Sequence, residues 1–388
     1  MSRHHSHIST AIKIIENYFG VEPFAIYIKK FFAAQKKYGS RDRKTIAILC
    51  YGYFRQGYAF QNQTVEEKIL LGLFLTQNSS YELLQSIQPE LNSQISFDVK
   101  KKVAILNFHP VTIFPLVQEL GNGIANNSFY ESFLTQPSLF LRLRPGKKEA
   151  VIEKLNAAGI SFKIASAECL ELKNSTGLAD IIKINTEAVV QDASSQSVFD
   201  YLDNLTLSAK NIKNSAWDCC AASGGKAILL YDKLKENVQL TVSDIRENIL
   251  ADCEKRLRQA SVKIYSSFIA DLTKNMPPPE VGEFSIIICD VPCTGSGTWG
   301  RTPEQLFFFK KNRITYYAEK QKLIAQNALQ FLKKDGLFFY ITCSVFKKEN
   351  EEVAKYLKET FHLKLLQMKY IEGYRMKADT MFVAVFTK

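Results

Sequence analysis

Two cysteines and an acid stand where they could do chemistry. In IIICDVPCTGSGTWGRTPE, residues 286–304, an apolar run ends on Asp290, followed by Pro292 and Cys293 in a stretch that also holds Gly295, Gly297 and Gly300. Fifty residues beyond Cys293, the run GLFFYITCS carries Cys343 next to its end. A lone strand-end cysteine is most often a small buried hydrophobe. Two of them, beside an acid and a glycine-rich loop, point instead to nucleophilic chemistry. An ionised thiol is the attacking form, and an acid can hydrogen-bond the group under attack. That requires the two runs to end at one place.

The elements around them make this possible. From about residue 212, strand and helix alternate. The strands are NSAWDCCA, VQLTVSD, VKIYSSFIAD, FSIIICDV, GLFFYITCS and MFVAVFTK. The helices between them are KAILLYDKLKEN, IRENILADCEKRLRQA, PEQLFFFKKN, ITYYAEKQKLIAQNALQFLKK and KENEEVAKYLKETF. Such alternation predicts an α/β fold with a doubly wound, mostly parallel, Rossmann-like sheet. Ligands bind such sheets at the carboxyl ends of the strands. The fourth and fifth strand ends would be neighbours, so Cys293 and Cys343 would face one pocket.

The first strand runs into Asp218-Cys219-Cys220-Ala221-Ala222-Ser223-Gly224-Gly225-Lys226, where small residues let the backbone approach a ligand. A Walker A loop is excluded, because Cys220 and Ala227 stand where it needs Gly and Ser or Thr. A GxGxxG dinucleotide fingerprint is absent. Asp244 and Asp271 end the next two strands. Each either accepts hydrogen bonds from a ligand's ribose or caps the helix that follows. An adenosyl ligand held by acids without a phosphate cradle suggests S-adenosylmethionine.

Residues 1–137 read as helical, from apolar spacing in ISTAIKIIENYF, RKTIAILCYGYFRQGYAF and VEEKILLGLFL, with basic turns at QKKYGSRDRK and DVKKK. Residues 138–210 read as a small α/β, RRM-like module and connector: strand LFLRLRP, helix GKKEAVIEKLNAAG stopped by Gly159, and return strand ISFKIA. Period-two alternation puts Arg142 and Arg144 on one face, to which Lys147 and Lys148 add. Residues 211–388 form the sheet domain.

The composition fits these elements. Lys and Arg outnumber Asp and Glu by 50 to 39, a net charge of +11 that suits a polyanionic partner as well as mere solubility. No run reaches membrane-span length and no signal peptide is legible, so a cytoplasmic protein is expected. None of the eight cysteines has a zinc spacing, no metal is expected, and a monomer is expected.

Four of these motifs, in this order, resemble the Sun-type RNA (cytosine-5) methyltransferases, and most of all their bacterial ribosomal-RNA branch. DCCAASGGK keeps the family's Asp-x-Cys-Ala-Ala-Pro-Gly-Gly-Lys except for Ser223 in place of proline. DVPC matches Asp-Ala-Pro-Cys with Val291 for alanine. YITCSVFKKENEE matches the Thr-Cys-Ser motif with its Glu-Asn, and VVQDASSQSV, residues 189–198, the Gln-Asp-x-x-Ser stretch. GSRDRKTIAILCYGYFR is similar to part of a NusB-like RNA-binding domain.

The resemblance implies a class I methyltransferase fold that uses S-adenosylmethionine to methylate carbon 5 of cytosine in RNA, with ribosomal RNA favoured over transfer RNA. It implies that Cys343 is the nucleophile and that Cys293 assists breakdown of the covalent adduct. Asp290 would meet the pyrimidine edge and line the cofactor site, and Lys226 would line the catalytic pocket. Cys220 to Lys226, Asp244 at the ribose, Arg246 and Asp271 at the adenine would hold the cofactor. The residues alone do not separate the two cysteines, since DNA cytosine methyltransferases carry their nucleophile in a Pro-Cys motif. The Thr-Cys-Ser match selects Cys343. A different reading, an inactive RNA-binding assembly factor, is disfavoured because both thiols are kept. The expected RNA contacts are Arg41, Arg43 and Lys44 in the helical segment and Arg142, Arg144, Lys147 and Lys148 in the module.

Overall fold

The computed structural model describes residues 3–204, 214–274 and 282–388. The chain divides into two compact units. One takes in Met1–Gln136 and Thr298–Lys311; the other takes in Pro137–Gly297 and Asn312–Lys388. The small α/β module and the sheet domain therefore share a unit, and the residues after the Cys293 loop belong to the helical one. The expected boundary at residues 210 and 211 lies outside the described residues.

The helical unit is built on Arg3–Glu16, Phe24–Ala34, Ser40–Arg55 and Val65–Thr76. Gly72 lets two of these helices touch, since a Cβ there would meet the Gly52 carbonyl oxygen at 2.4 Å. Two stretches read as turns are helical. GSRDRK opens the helix Ser40–Arg55, and DVKKK enters the helix Val99–Ile105, whose Lys101 amide is capped by the Asp98 carboxylate. Within Thr298–Lys311 the predicted helix PEQLFFFKKN shrinks to Gln305–Phe308.

The other unit contains two sheets. Strands β1 (Leu139–Leu143), β2 (Phe162–Ser166), β3 (Cys169–Leu172) and β4 (Ala188–Val190) form an antiparallel sheet in the order β2-β3-β1-β4. Val151 and Leu155 of the helix Lys148–Ala157 join its core beside Leu141, Leu143, Leu170 and Leu172. The larger sheet comprises β5 (Asn214–Asp218), β6 (Val238–Asp244), β7 (Ile264–Ile269), β8 (Phe284–Asp290), β9 (Leu332–Thr342), β10 (Lys364–Glu372) and β11 (Thr380–Thr387). Its order is β10-β11-β9-β8-β5-β6-β7, with β9 to β7 parallel and β10 and β11 antiparallel.

The doubly wound, mostly parallel sheet is thus present. The chain begins in β5, runs outward through β6 and β7, and returns on the other side through β8 and β9, so the order switches between β5 and β8. Ligands of such sheets commonly bind at this switch point. Ile286, Ile287, Ile288 and Cys289 of β8 are all buried, as a central strand covered on both faces requires. Each buried isoleucine contributes about 1.5–3 kcal/mol to holding that strand in register.

Candidate active site

The expected meeting of strand ends occurs. β8 and β9 are adjacent, pairing Asp290 with Ile341, and the Cys293 and Cys343 sulfurs lie 3.2 Å apart. Both thiols are partly exposed, whereas Cys50, Cys169, Cys219, Cys253 and Cys289 are buried. The hydrogen bond to Cys343, reinforced by burial, pushes the Cys293 thiol well above its ordinary range. Either thiol can donate to the other across this contact.

The glycine-rich loop has a physical reason. The Gly297 amide donates to the Cys343 carbonyl at 2.8 Å, and a Cβ on Gly297 would stand 2.0 Å from the Thr380 carbonyl oxygen. Only a residue without a side chain lets the loop lie this close to the end of β9. Loop and strand end are also tied by a buried carboxylate. Glu349 accepts from the Thr294 amide at 2.9 Å, the Thr294 and Ser344 hydroxyls at 2.5 Å, and the Gln321 amide at 2.9 Å. Gln321, in the helix Asn312–Leu329, also donates to the Pro292 carbonyl at 3.1 Å. Asn350 donates to the Ser344 carbonyl at 2.8 Å and accepts from the Thr342 hydroxyl at 2.6 Å. Each cysteine is thus flanked by residues fixed from below.

From the first turn of the helix Gly225–Lys233, which follows β5, Lys226 donates to Asp290 at 2.6 Å. Burial works against the ammonium, but Asp290 and then Cys343 outweigh it and raise Lys226 above the ordinary lysine range. Asp218, which begins the same loop, is fully buried, and among the described residues neither oxygen has a hydrogen-bond partner in good geometry. Burial, with Asp290 adding, pushes its carboxyl up to about 7.

The loop from Cys219 to Lys226 is shaped by its backbone. Ala222 adopts φ +45° and Gly224 φ +77°; a Cβ on Gly224 would meet the Cys253 sulfur at 2.9 Å. Ser223, standing where the resemblance has proline, accepts from Arg256 through its hydroxyl at 2.9 Å and its carbonyl at 3.2 Å. That side chain supplies from outside the restraint a proline ring would give from within. Asp244 accepts from the Ala222 amide at 3.0 Å and from the Arg246 amide and guanidinium at 2.9–3.1 Å. Burial opposes its charge, but Arg246 prevails and holds it below the usual carboxylate range. Asp271 is engaged locally: its carboxylate accepts from the Thr273 hydroxyl at 2.6 Å and amide at 3.1 Å, which lower it in the same way.

The expected basic face of the module requires correction. Arg142 and Arg144 do share a face, but it points inward. Arg142 donates to Asp232 at 2.6 Å and Arg144 at 2.8 and 3.0 Å, and only 2% of the Arg142 side chain is exposed. Both guanidiniums are taken up by a carboxylate on the helix Gly225–Lys233, Arg142 fully buried and Arg144 partly so, which gives the pair a role in holding structure together. Lys147, Arg41 and Lys44 remain exposed; Lys148 is half-buried, and so is Arg43, which donates to the Tyr38 carbonyl at 2.8 Å.

Comparison with known proteins fits this arrangement. Residues 205–386 match the family described as 16S rRNA methyltransferase RsmB/F. Over that span the chain is similar to the RsmB/F methyltransferases. The ribosomal RNA small subunit methyltransferase B of Shewanella oneidensis is 25% identical over 374 residues, covering 84% of this chain and 83% of that one. A probable methyltransferase B of Bacillus subtilis is 25% identical over 224 residues, and the match spans 49% of its length. The crystal structure of PH0851 superposes over the whole of both chains with a TM-score of 0.70 at 17% identity. A methyltransferase homologue from Pyrococcus horikoshii gives 0.56 at 20% identity, covering 74% of this chain and 98% of that one. These two share the fold.

Within residues 205–386, sequence reasoning missed Gln321 and the buried Asp218 as members of the site. Asp218 opened the quoted motif and could have been found there. Gln321 had no signal, being one polar residue in a helix of mixed composition.

Proposed function

We propose that the chain transfers a methyl group from S-adenosylmethionine to carbon 5 of a cytosine in small-subunit ribosomal RNA, through a covalent adduct of Cys343. The observation that carries this is the Cys293–Cys343 pair at 3.2 Å beside the Lys226–Asp290 ion pair, all at the ends of β5, β8 and β9. The RsmB/F match names 16S rRNA, and the Shewanella relative is named for small-subunit ribosomal RNA. A structural neighbour, NSun6 from Pyrococcus horikoshii, was solved with SFG, an analogue of S-adenosylmethionine.

The residues present fit that cofactor. Ala221 to Gly225 form a side-chain-poor cradle that a Cβ at Gly224 would disturb. Asp244 ends β6 where ribose hydroxyls are commonly met, Arg246 lies against it, and Asp271 follows β7 on the adenine side. When bound, S-adenosylmethionine supplies an electrophilic methyl group.

The chain does the rest. The Cys343 thiolate bonds to carbon 6, and the ring electrons move through carbon 5 and carbon 4 toward nitrogen 3. There the Lys226–Asp290 pair bears the developing charge. Carbon 5, now enamine-like, takes the methyl group. Loss of the carbon 5 proton to a base then restores the ring double bond and expels Cys343. The Cys293 S–H stabilises the leaving thiolate by re-forming the hydrogen bond already present. The target cytosine is unpaired or flipped out, because a stacked pair hides carbon 6 from a thiol.

The test is methyl transfer from labelled donor to unmodified small-subunit ribosomal RNA, followed by nucleoside analysis. Label in 5-methylcytosine that disappears in Cys343→Ala supports the proposal. Label on another base, or on transfer RNA alone, overturns it.

A further inference from the structure

The helical unit carries a groove that the candidate active site does not use. It encloses about 860 Å³, within the ~300–1,000 Å³ of small-ligand sites, and lies wholly among residues of that unit. Its wall includes Tyr58, the last ring of a stacked row that runs away from the groove. Lys68 sits 5.9 Å over Tyr53; Tyr53 stacks on Phe307 at 5.5 Å with planes 14° apart; Phe307 stacks on Tyr58 at 5.8 Å and 21°. Tyr58 ends the row, lines the groove and is 40% exposed. Beyond it the loop presents Phe60, in contact with Phe108 at 4.7 Å, and the carboxamides of Gln61 and Asn62. The loop is anchored at its base. Gly57, at φ +51°, lies so close to Ile113 that a Cβ would stand 2.0 Å from its carbonyl oxygen, and the Tyr58 amide donates to that same oxygen at 3.3 Å.

We propose that this groove binds the bases of single-stranded RNA, with a nucleobase continuing the ring stack on Tyr58. The inference rests on the reading that the substrate is RNA. A flat, exposed ring at the end of a parallel stack offers a base what another base would offer. Carboxamides beside it carry both donors and acceptors, as a base edge requires. An apolar peptide would need an aliphatic recess, and the lining offers only Pro115 and Leu116. Lys311 on the rim, shared with Glu119 at 2.7 Å, and the exposed Lys310 next to it place cations where a backbone would pass. Unpaired bases splayed onto aromatic side chains are the usual form of RNA recognition outside duplexes.

The test uses the full chain and a single-stranded oligocytidylate of about twelve nucleotides, with a duplex of equal length as control. Tyr58→Ala should weaken the single strand roughly ten- to a hundredfold and leave the duplex unchanged. The rate of methyl transfer at saturating ribosomal RNA should stay at the wild-type value. Tyr58→Trp should retain binding, and its added tryptophan emission should be quenched by the oligonucleotide. If Tyr58→Ala binds like wild type, or the emission of Tyr58→Trp does not respond, the groove is not on the RNA path even though methylation proceeds. If wild type makes no 5-methylcytosine while Tyr58→Ala still loses binding, the groove stands and the proposed reaction falls.

Discussion

Glu349→Gln separates the thiols from what positions them. In the wild type the carboxylate takes the Thr294 amide and Gln321 on one oxygen and the Thr294 and Ser344 hydroxyls on the other. Hydrogen bonds to a charged acceptor are worth about 1.5–3 kcal/mol, against about 1 kcal/mol for neutral ones. Four such differences sum to several kcal/mol. Against this, the neutral amide escapes the cost of burying a charge, the cost that pushes the Glu349 carboxyl above its usual range. The net loss of stability is then about 1–3 kcal/mol. Glutamine keeps one carbonyl oxygen for the two N–H donors, but its NH₂ faces two hydroxyls that must both turn to accept. The loop bearing Cys293 shifts relative to Cys343, and a displacement of about 1 Å costs roughly a hundredfold in rate. The assay is single-turnover methyl transfer at saturating RNA and donor, with RNA affinity and thermal unfolding measured in parallel. The rate should fall ten- to a hundredfold with RNA affinity unchanged. A variant that is destabilised yet transfers at the wild-type rate would refute the positioning role.

Three further outcomes follow from the same geometry. Asp232→Ala leaves Arg142 and Arg144 buried without their carboxylate, and denaturant unfolding should show a loss of about 3–5 kcal/mol; a loss below about 1 kcal/mol would mean the pair contributes as little as a surface salt bridge. Asp218 holds a proton in the folded state up to about pH 7, whereas the unfolded chain releases it near 3.8. Folding therefore takes up a proton in that window, and this contribution to stability falls as pH rises from about 4 to about 7, by on the order of 4 kcal/mol. Asp218→Asn should remove that slope, and an unchanged pH profile of unfolding would contradict the buried proton. Gly297→Ala must push its Cβ away from the Thr380 carbonyl oxygen, 2.0 Å distant in the unaltered backbone. It should lose about 1–3 kcal/mol of stability and most of the transfer rate, and wild-type transfer would show that loop and strand end are not locked together.

The candidate site was legible because its residues lie at strand ends. Apolar runs such as Ile286–Cys289 and Phe338–Ile341 mark central strands from sequence alone, and whatever follows them falls at one edge of the sheet. β10 was missed because Lys364–Glu372 lies at the sheet edge and carries charged and polar residues among its apolar ones. β3 and β4 are too short for a pattern to show. Arg142 and Arg144 misled for a different reason. A buried guanidinium looks like a surface one until its partner is known, and Asp232 stands about ninety residues away. Glu349 and Asn350 were noticed only as part of a motif; that they clamp both thiol-bearing segments depends on Thr294 and Ser344 meeting in space.

The central claim is that Cys343 forms the bond to the base while Cys293 helps to release it. The direct measurement is mass spectrometry of Cys293→Ala and Cys343→Ala after incubation with S-adenosylmethionine and unmodified small-subunit ribosomal RNA. Cys293→Ala should accumulate a protein–RNA adduct attached through Cys343, and Cys343→Ala should form none. An adduct on Cys293 in the Cys343→Ala variant would contradict the assignment.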